Sequence, residues 1–195
     1  MSESFAKIAC GFDVLPLQLA LKRQPKLFGK YPFRQAGYGE SPHTNMTDIW
    51  VRYNKIDKYL EAGDFTGFND EHEAEWYPAY YALPQIRPIV FALMALVQGE
   101  RLGAVLITKI PPGGRIEPHI DTGWHAEYYD KYYIPIQNAP GATFNFNDGI
   151  IYPQLGDAWW FDNSVPHWVE NHSNEDRIAM IVCIRSDKVA GAGKE

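Results

Sequence analysis

Residues 104–121 read AVLITKIPPGGRIEPHID, two β-like runs joined by a Pro-Pro-Gly-Gly turn, and this pattern continues to residue 184. Short runs recur about every eight to twelve residues, separated by turn sequences such as NAPG and NDG. Strands at this spacing are typical of a β-sandwich or jelly roll. The sequence therefore predicts a mainly β sandwich or jelly roll with flanking helices, built from AVLITKI, RIEPHID, KYYIPIQ, ATFNFN, IIYPQ, DAWWFD, HWVENH and RIAMIVCI.

The preceding hundred residues show mixed patterns. A short helix is expected from about Asp13, a strand at 48–53 (DIWVRY), a short helix after it, and a surface loop over 64–76. In that strand, alternation places Tyr53 with Ile49 and Val51, and Arg52 with Trp50. Apolar residues at helical spacing predict a longer helix over 84–98 that packs against a sheet.

Length and composition indicate one globular domain. The chain has 195 residues, of which 46% are hydrophobic and 22% charged, so a disordered chain is excluded. We expect residues 1–195 to form a single domain in which a mixed amino-terminal part, 1–100, packs on a barrel core formed by 103–185.

The charge balance makes nucleic acid an unexpected partner. Eighteen basic residues against 24 acidic ones give a net charge of −6, which does not favour a phosphate-binding surface. A local basic stretch is expected to be a solvated face; it contains Lys22, Arg23, Lys26, Lys30 and Arg34.

The chain start lacks the apolar stretch of a signal peptide, and the longest apolar run, 89–97, is too short to cross a bilayer. These features predict a cytoplasmic protein without membrane association, in which the two cysteines, Cys10 and Cys183, are free thiols.

A candidate metal centre is formed by His119, Asp121 and His167. His119 and Asp121 are separated by one residue on a predicted strand, so their side chains point to the same face. His167 lies several strands later, and a jelly roll can bring it opposite them. Two imidazoles and one carboxylate with open positions are the facial triad of non-haem Fe(II) oxygenases, and these three residues are the predicted catalytic residues.

Arg177 is the second candidate, because it opens the apolar run RIAMIVCI, which is expected to be buried on both faces. A buried guanidinium needs an anionic partner, and its fork suits a carboxylate. The distal carboxylate of 2-oxoglutarate, whose keto-acid end would chelate the iron, fits this requirement.

The order of PPGGRIEPHID, KYYIPIQNAP, GDAWWFDNSVPHWVEN and DRIAMIVCI resembles the aspartyl/asparaginyl β-hydroxylase family of Fe(II)/2-oxoglutarate dioxygenases. The resemblance covers about residues 84–185, and more loosely the segment SPHTNMTDIWVRYN. It implies a double-stranded β-helix with helices on its outer sheet. It also implies His119 and His167 as iron ligands and Arg177 as the partner of 2-oxoglutarate.

Three further co-substrate contacts follow from the resemblance. Thr108 matches a small hydroxyl position of the family, while Lys131 and Tyr133 stand where relatives commonly carry Arg and His. Lysine supplies a point charge where arginine supplies a fork. Some relatives have Gly at the position of Asp121, whereas this chain offers a complete triad.

Substrate contacts are predicted for four residues: His43, as the resemblance implies, Arg52 on the strand 48–53, and Trp124 and His125 in the loop after Asp121. For His43, a hydrogen-bonded surface position is the main alternative, and for Arg52 a surface ion pair. His72, in an acidic loop, is expected to face solvent, and His172, five residues after His167, is expected to face away from it.

The sequence thus predicts a dioxygenase that uses Fe(II), 2-oxoglutarate and O2 to hydroxylate a C–H bond of an amino acid, peptide or protein side chain. Two alternatives stay open, a cupin-like metal-binding isomerase and a non-catalytic binding module. The hydrolase, Walker and Rossmann motifs are missing from the sequence. Substrate identity and oligomeric state are not predicted.

Overall fold

In the computed structural model, residues 4–36 and 41–186 are described, and two antiparallel sheets dominate the fold. The ends of the predicted 1–195 domain, 1–3 and 187–195, lie outside the described residues, so the domain division stays a prediction. The strands are β1 (Phe5–Ala9), β2 (Thr47–Asn54), β3 (Ala74–Trp76), β4 (Gly99–Ile110), β5 (Arg115–His119), β6 (Asp130–Gln137), β7 (Ala142–Phe146), β8 (Gly149–Ile151), β9 (Ala158–Phe161), β10 (His167–Asn171) and β11 (Arg177–Ser186).

The helices are short and lie mainly in the amino-terminal part. They are α1 (Leu15–Arg23), α2 (Phe33–Ala36), α3 (Asp57–Ala62), α4 (Pro78–Ala82), α5 (Ile86–Leu96) and α6 (Trp124–Tyr128), with 3₁₀ turns at Pro25–Leu27 and Phe68–Asp70. Helix α1 begins two residues after Asp13, whose carboxylate accepts a hydrogen bond from the Leu15 amide. Helix α5 ends before Gly99, which instead begins a strand. None of the helices in the described ranges is long and apolar enough to cross a lipid bilayer.

All eight strands predicted after residue 103 are present: β4, β6, β9 and β11 belong to the larger sheet, and β5, β7, β8 and β10 form the smaller one. The larger sheet has the order β1-β9-β6-β11-β4-β2-β3, and the smaller has the order β5-β10-β7-β8. The prediction of a mainly β double-stranded β-helix is confirmed. The amino-terminal part does more than pack on this barrel, because β1, β2 and β3 are hydrogen-bonded into the larger sheet.

The predicted loop at 64–76 is wrong in part, since it contains a 3₁₀ turn and strand β3. These elements were missed because their apolar residues, such as Phe68, are too widely spaced to show a period. Phe68 is fully buried with Trp50 and Tyr59 in an aromatic cluster at one end of the barrel. The segment is therefore held by aromatic packing rather than by a periodic apolar face.

Two other hydrophobic clusters lie on the two sides of the larger sheet. The outer one packs α1, α4 and α5 against the sheet, which confirms the predicted position of the longest helix. The inner one lies between the sheets and is rich in phenylalanine; its buried members are Met46, Ile110, Ile116, Tyr133, Phe144, Phe146, Ile151, Phe161, Val169 and Ala179. This inner cluster lines the space where the site is found.

A bulge in strand β2 changes which of its side chains face the space between the two sheets. The pairing of β2 with β4 shifts register between Trp50 and Arg52, so strict alternation fails at this point. Tyr53 consequently joins Trp50 in the aromatic cluster, their ring centroids being 4.7 Å apart, while Arg52 turns away. The predicted sharing of faces along this strand is therefore wrong beyond Val51.

Asn171 holds together the turn that precedes strand β5. Its Nδ2 donates to the carbonyls of Ile110, Pro111 and Glu175, and its Oδ1 accepts from the amide and hydroxyl of Ser173. The side chain is completely buried. The Pro-Pro-Gly-Gly turn is thus fixed by one amide group at the end of β10.

We expect Asn171→Ala to lower the free energy of unfolding by about 3 kcal/mol, because each buried polar group left without a partner costs about 1 to 3 kcal/mol. Chemical denaturation of the purified variant measures this change. Asn147→Ala, in the exposed turn between β7 and β8, is the control and should change stability little. A loss below about 1 kcal/mol for Asn171→Ala would show that the turn does not depend on this side chain.

Candidate metal centre and active site

The three predicted metal ligands meet between the two sheets. His119 ends β5 and His167 begins β10, and the two residues are paired across these antiparallel strands. Asp121 follows β5, where its amide donates to the carbonyl of Asn163. The ligand atoms of the three side chains all lie within 4.8 Å of one another. This arrangement offers two imidazoles and a carboxylate to one ion.

Hydrogen bonds to the backbone orient both imidazoles. Nδ1 of His119 lies 2.8 Å from the carbonyl of Glu117, and Nδ1 of His167 lies 2.9 Å from the carbonyl of Val165. A carbonyl only accepts, so each Nδ1 carries hydrogen and each Nε2 of the neutral ring keeps its lone pair. Burial lowers the pKa of His119 and of His167, which favours that neutral form. Both rings are therefore prepared to bind a cation.

Asp121 is held as a carboxylate by Lys131. Burial opposes ionisation of Asp121, but the charge and hydrogen bond of Lys131, together with the nearby imidazoles, outweigh it and hold the pKa of the carboxyl well below its usual range. The Nζ of Lys131 donates to Oδ2, and the Nε2 atoms of His119 and His167 lie 3.8 and 3.6 Å from the carboxylate oxygens. The donor set of the centre thus combines two neutral imidazoles with an ionised carboxylate, as a metal site needs.

An inner cavity connects this centre with Arg177. The cavity is lined by the three candidate ligands and by Arg177, as well as by Thr108, Lys131 and Tyr133. Arg177 is only 2% exposed, and its guanidinium lies 5.1 Å from the ring centroid of Tyr133. Within the described ranges, neither the Arg177 Nε nor the buried Tyr133 hydroxyl has a hydrogen-bond partner. This end of the cavity therefore presents a cation and a hydroxyl suited to an anion.

The other predicted co-substrate residues have partners within the protein. The Thr108 hydroxyl donates to the carbonyl of Ala179, 3.3 Å away on β11. Lys131 is on the opposite side of the cavity and contacts Asp121. Arg177, Tyr133, Thr108 and Lys131 thus line one cavity, with Lys131 in contact with the candidate ligand Asp121.

A wider cleft of about 620 Å³ leads from the metal centre to solvent. Its walls come from the amino-terminal segments around residues 33–43 and 64–69 and from the segment 120–126. His43 lines both the cleft and the inner cavity, and its ring centroid is 5.0 Å from that of His119. His43 therefore lies where the two cavities meet, and its role in substrate binding stays a prediction.

His125 also lines the cleft, whereas two other substrate candidates do not. Burial lowers the pKa of His125 to about 4, so the ring is neutral. Arg52 lies on the far side of the β2 bulge, where its guanidinium contacts the Trp76 ring and its Nε donates to the carbonyl of Leu102. Trp124 stacks on His72, with ring centroids 3.8 Å apart. Arg52 and Trp124 are thus outside the residues that line the cleft.

Four cleft or support residues were missed by sequence reasoning. Arg34 was assigned to a solvated face, but it forms a 2.9 Å ion pair with the buried Asp48; its four basic neighbours are exposed as predicted. Tyr53 and Cys183 line the cleft, and burial raises their pKa values to about 12 and about 11. The one sequence signal for the Arg34–Asp48 ion pair was Asp48 itself. It lies in an apolar strand, and a buried carboxylate requires a cation.

A family model described as aspartyl/asparaginyl beta-hydroxylase matches residues 71–186. The chain belongs to the aspartyl/asparaginyl β-hydroxylase family. The matched range contains every strand from β3 to β11 and all three candidate ligands. The predicted identity of the chain as a hydroxylase of the dioxygenase class is thereby confirmed. No curated protein is significantly similar to this hydroxylase in sequence.

Solved structures share the fold of this hydroxylase at low sequence identity. A prolyl hydroxylase from Trichoplax adhaerens, in complex with a hypoxia-inducible factor peptide fragment, is 13% identical with a TM-score of 0.59, covering 96% of this chain and 86% of that one. A prolyl-4-hydroxylase from Pseudomonas putida is 14% identical with a TM-score of 0.57, covering 95% and 94%. A Burkholderia pseudomallei oxidoreductase of the 2OG-Fe(II) oxygenase family is 13% identical with a TM-score of 0.54, covering 85% and 77%. These similarities support the double-stranded β-helix.

Proposed function

We propose that this hydroxylase holds Fe(II) through His119, Asp121 and His167 and binds 2-oxoglutarate through Arg177. The observation that carries the proposal is the single cavity that joins the three ligands to a buried guanidinium whose Nε has no partner in the described part of the chain. A buried cation without an anion is costly, so a ligand carboxylate explains why it is there. Bound iron and 2-oxoglutarate would supply O2 activation, with succinate and CO2 as products.

The protein's own residues orient and protect this centre. The backbone carbonyls at Glu117 and Val165 fix the two imidazoles, and Lys131 keeps Asp121 ionised. Aromatic side chains keep the inner end apolar, since three phenylalanine rings have centroids 5.5 to 6.2 Å from that of His167. An apolar lining excludes water and strengthens the interactions inside the cavity.

Tyr133 extends the proposed binding site for the distal carboxylate, and Thr108 lines the same cavity while its hydroxyl donates to the Ala179 carbonyl. Tyr133 lies against the Arg177 guanidinium, and burial raises the pKa of Tyr133, so the hydroxyl keeps its proton as a donor. We assign Lys131 to the other end of the cavity, where it holds Asp121 and lies near the keto-acid end of the co-substrate. Relatives commonly carry Arg and His at these two positions. Lys131 and Tyr133 thus still supply two hydrogen-bond donors to the co-substrate.

The wider cleft favours a peptide or protein side chain as substrate. Its volume of about 620 Å³ and its open side leave room for a main chain on both sides of the reacting residue. His43 and His125 are the substrate-contact candidates that the cleft supports. A cytoplasmic location stays a prediction from the sequence, and the cupin-like isomerase alternative does not account for Arg177.

The test of the proposal is the conversion of 2-oxoglutarate to succinate by the purified protein with Fe(II), with and without a panel of peptides. Succinate formation that depends on Fe(II) and rises with a peptide supports it. The protein without iron and the His167→Ala variant are the controls. Failure to bind 2-oxoglutarate in calorimetry, together with no succinate, would contradict it.

The product should carry one added oxygen and no chlorine, even when chloride is present. A halogenating site needs a vacant position for the halide beside the metal, and the ionised Asp121 occupies that position between His119 and His167. Its negative charge also repels an anion. Mass spectrometry of the product, with Asp121→Gly measured alongside, checks this. A chlorinated product from the wild-type protein would show that Asp121 is not a ligand.

A further inference from the structure

Both cations that line the cleft are already neutralised by carboxylates of the protein. The Arg34 Nη1 lies 2.9 Å from Oδ2 of Asp48, whose side chain is 4% exposed, and Lys131 contacts Asp121. At the rim, Asp64 adds a further carboxylate. Among the described residues that line the cleft, the charges therefore leave no cation free for an anionic substrate group.

Near the metal centre, the cleft instead offers a substrate an uncharged hydrogen-bond donor, the Nδ1–H group of His43. The Nη2 of Arg34 lies 3.2 Å from Nε2 of His43. A guanidinium only donates, so this ring nitrogen must accept, and the ring must be neutral with its hydrogen on Nδ1. No described residue accepts a hydrogen bond from that Nδ1, while the ring lines both the cleft and the inner cavity. The Arg34–Asp48 pair thus fixes which nitrogen of His43 is a donor.

A second neutral imidazole lies on the opposite wall. Nε2 of His125 is buried and, in the described ranges, has no hydrogen-bond partner. The other polar side chains of the cleft that are not charged are hydroxyls and amides: Ser41, Tyr53, Asn54, Thr66, Asn69 and Thr122. The polar groups that a substrate meets in this cleft are therefore uncharged.

We propose that the cleft selects an uncharged acceptor group over a carboxylate, and that His43 is the specificity residue, donating its Nδ1 hydrogen to a carbonyl oxygen of the substrate. The selected group is a carboxamide or a peptide carbonyl. The inference rests on the proposed function, because it takes the metal centre as the reacting end of the cleft. Arg34 and Asp48 act through His43 and are positioning residues.

The experiment compares binding of four blocked tripeptides, acetyl-Gly-X-Gly-amide with X as Asn, Gln, Asp or Glu. Ligand-observed NMR titrations use the protein loaded with Zn(II) and 2-oxoglutarate, which prevents turnover. We expect the better carboxamide peptide to bind at least tenfold more tightly than its acid counterpart. His43→Ala should remove most of this preference, whereas His43→Asn, which keeps an N–H donor, should restore part of it.

Two further variants separate recognition from folding. Asp48→Asn removes the charge that neutralises Arg34, so binding of the acid peptide should strengthen at least threefold while the melting temperature reports any loss of fold. His172→Ala, exposed and paired with Glu170 outside the cleft, is the matched control and should leave all four affinities unchanged.

The outcomes distinguish this inference from the proposed function. If Zn(II) or 2-oxoglutarate fails to bind, the proposed function is wrong. If both bind but the acid peptides bind equally well or better, or if none of the four peptides binds, the specificity assigned to His43 is wrong while the proposed function stands. An unchanged preference in a folded His43→Ala variant also overturns it.

Discussion

Replacing Arg177 with alanine should weaken binding of 2-oxoglutarate by at least a hundredfold. The guanidinium is 2% exposed at the start of β11, and its Nε finds no acceptor among the described residues, so an incoming carboxylate would be its first charged partner. Removing one partner of a buried ion pair costs about 3 to 5 kcal/mol, which corresponds to a factor above a hundred in the binding constant. Calorimetry of 2-oxoglutarate binding to the Zn(II)-loaded protein measures the loss.

Arg185 provides the matched control on the same strand. Its guanidinium lies over the Tyr128 ring, with Nη1 donating to the Tyr128 carbonyl, and it is not among the residues that line either cavity. Arg185→Ala should therefore leave the affinity for 2-oxoglutarate unchanged. Arg177→Lys keeps the charge but loses the fork, so an intermediate affinity is expected. An unchanged affinity in a folded Arg177→Ala variant would place the co-substrate elsewhere.

Replacing His167 with alanine should abolish stoichiometric metal binding and turnover. The ring is buried, its Nδ1 is oriented by the Val165 carbonyl, and its Nε2 lies 3.6 Å from the Asp121 carboxylate. A ligand set of two imidazoles and one carboxylate has no spare donor, so we expect the affinity for Co(II), a stable substitute for Fe(II), to fall by at least a hundredfold. Visible absorption of the Co(II) protein and metal analysis after dialysis measure this.

His172 controls for the removal of a histidine from the same segment. It lies just after β10, is exposed, and pairs with Glu170 at 3.6 Å rather than with the metal centre. His172→Ala should bind one Co(II) per chain as the wild-type protein does. His119→Ala should behave like His167→Ala, because the two imidazoles face each other across the paired strands. Full metal content in either variant would contradict the assignment of the triad.

The candidate metal ligands and the strands of the barrel were accessible from sequence because they depend on local rules. Alternation along a strand places His119 and Asp121 on one face, and turn residues mark where each strand ends. The burial of Arg177 followed equally from the apolar run in which it lies, and the structure bears this out. The roles of these residues in catalysis stay predictions, since the family match concerns the chain as a whole.

The amino-terminal wall of the cleft was not accessible in the same way. One bulge in β2 exchanges the faces of Arg52 and Tyr53, and such a register shift is set by the pairing with β4, not by the strand's own residues. The position of His43 depends on α2 and on β5, elements far apart from each other in the chain. Neither the register shift in β2 nor the contacts of His43 with distant elements produce a periodic pattern in the sequence.

The sequence by itself determined the jelly roll, the three converging ligands and the buried cation, because side-chain alternation and the need to bury apolar runs act over a few residues. The tertiary structure alone decided which charges are neutralised. Arg34 meets Asp48, and Lys131 meets Asp121, only when separate strands and loops come together. A charge pair gains most of its energy from burial and short distance, and both quantities exist only in the folded chain.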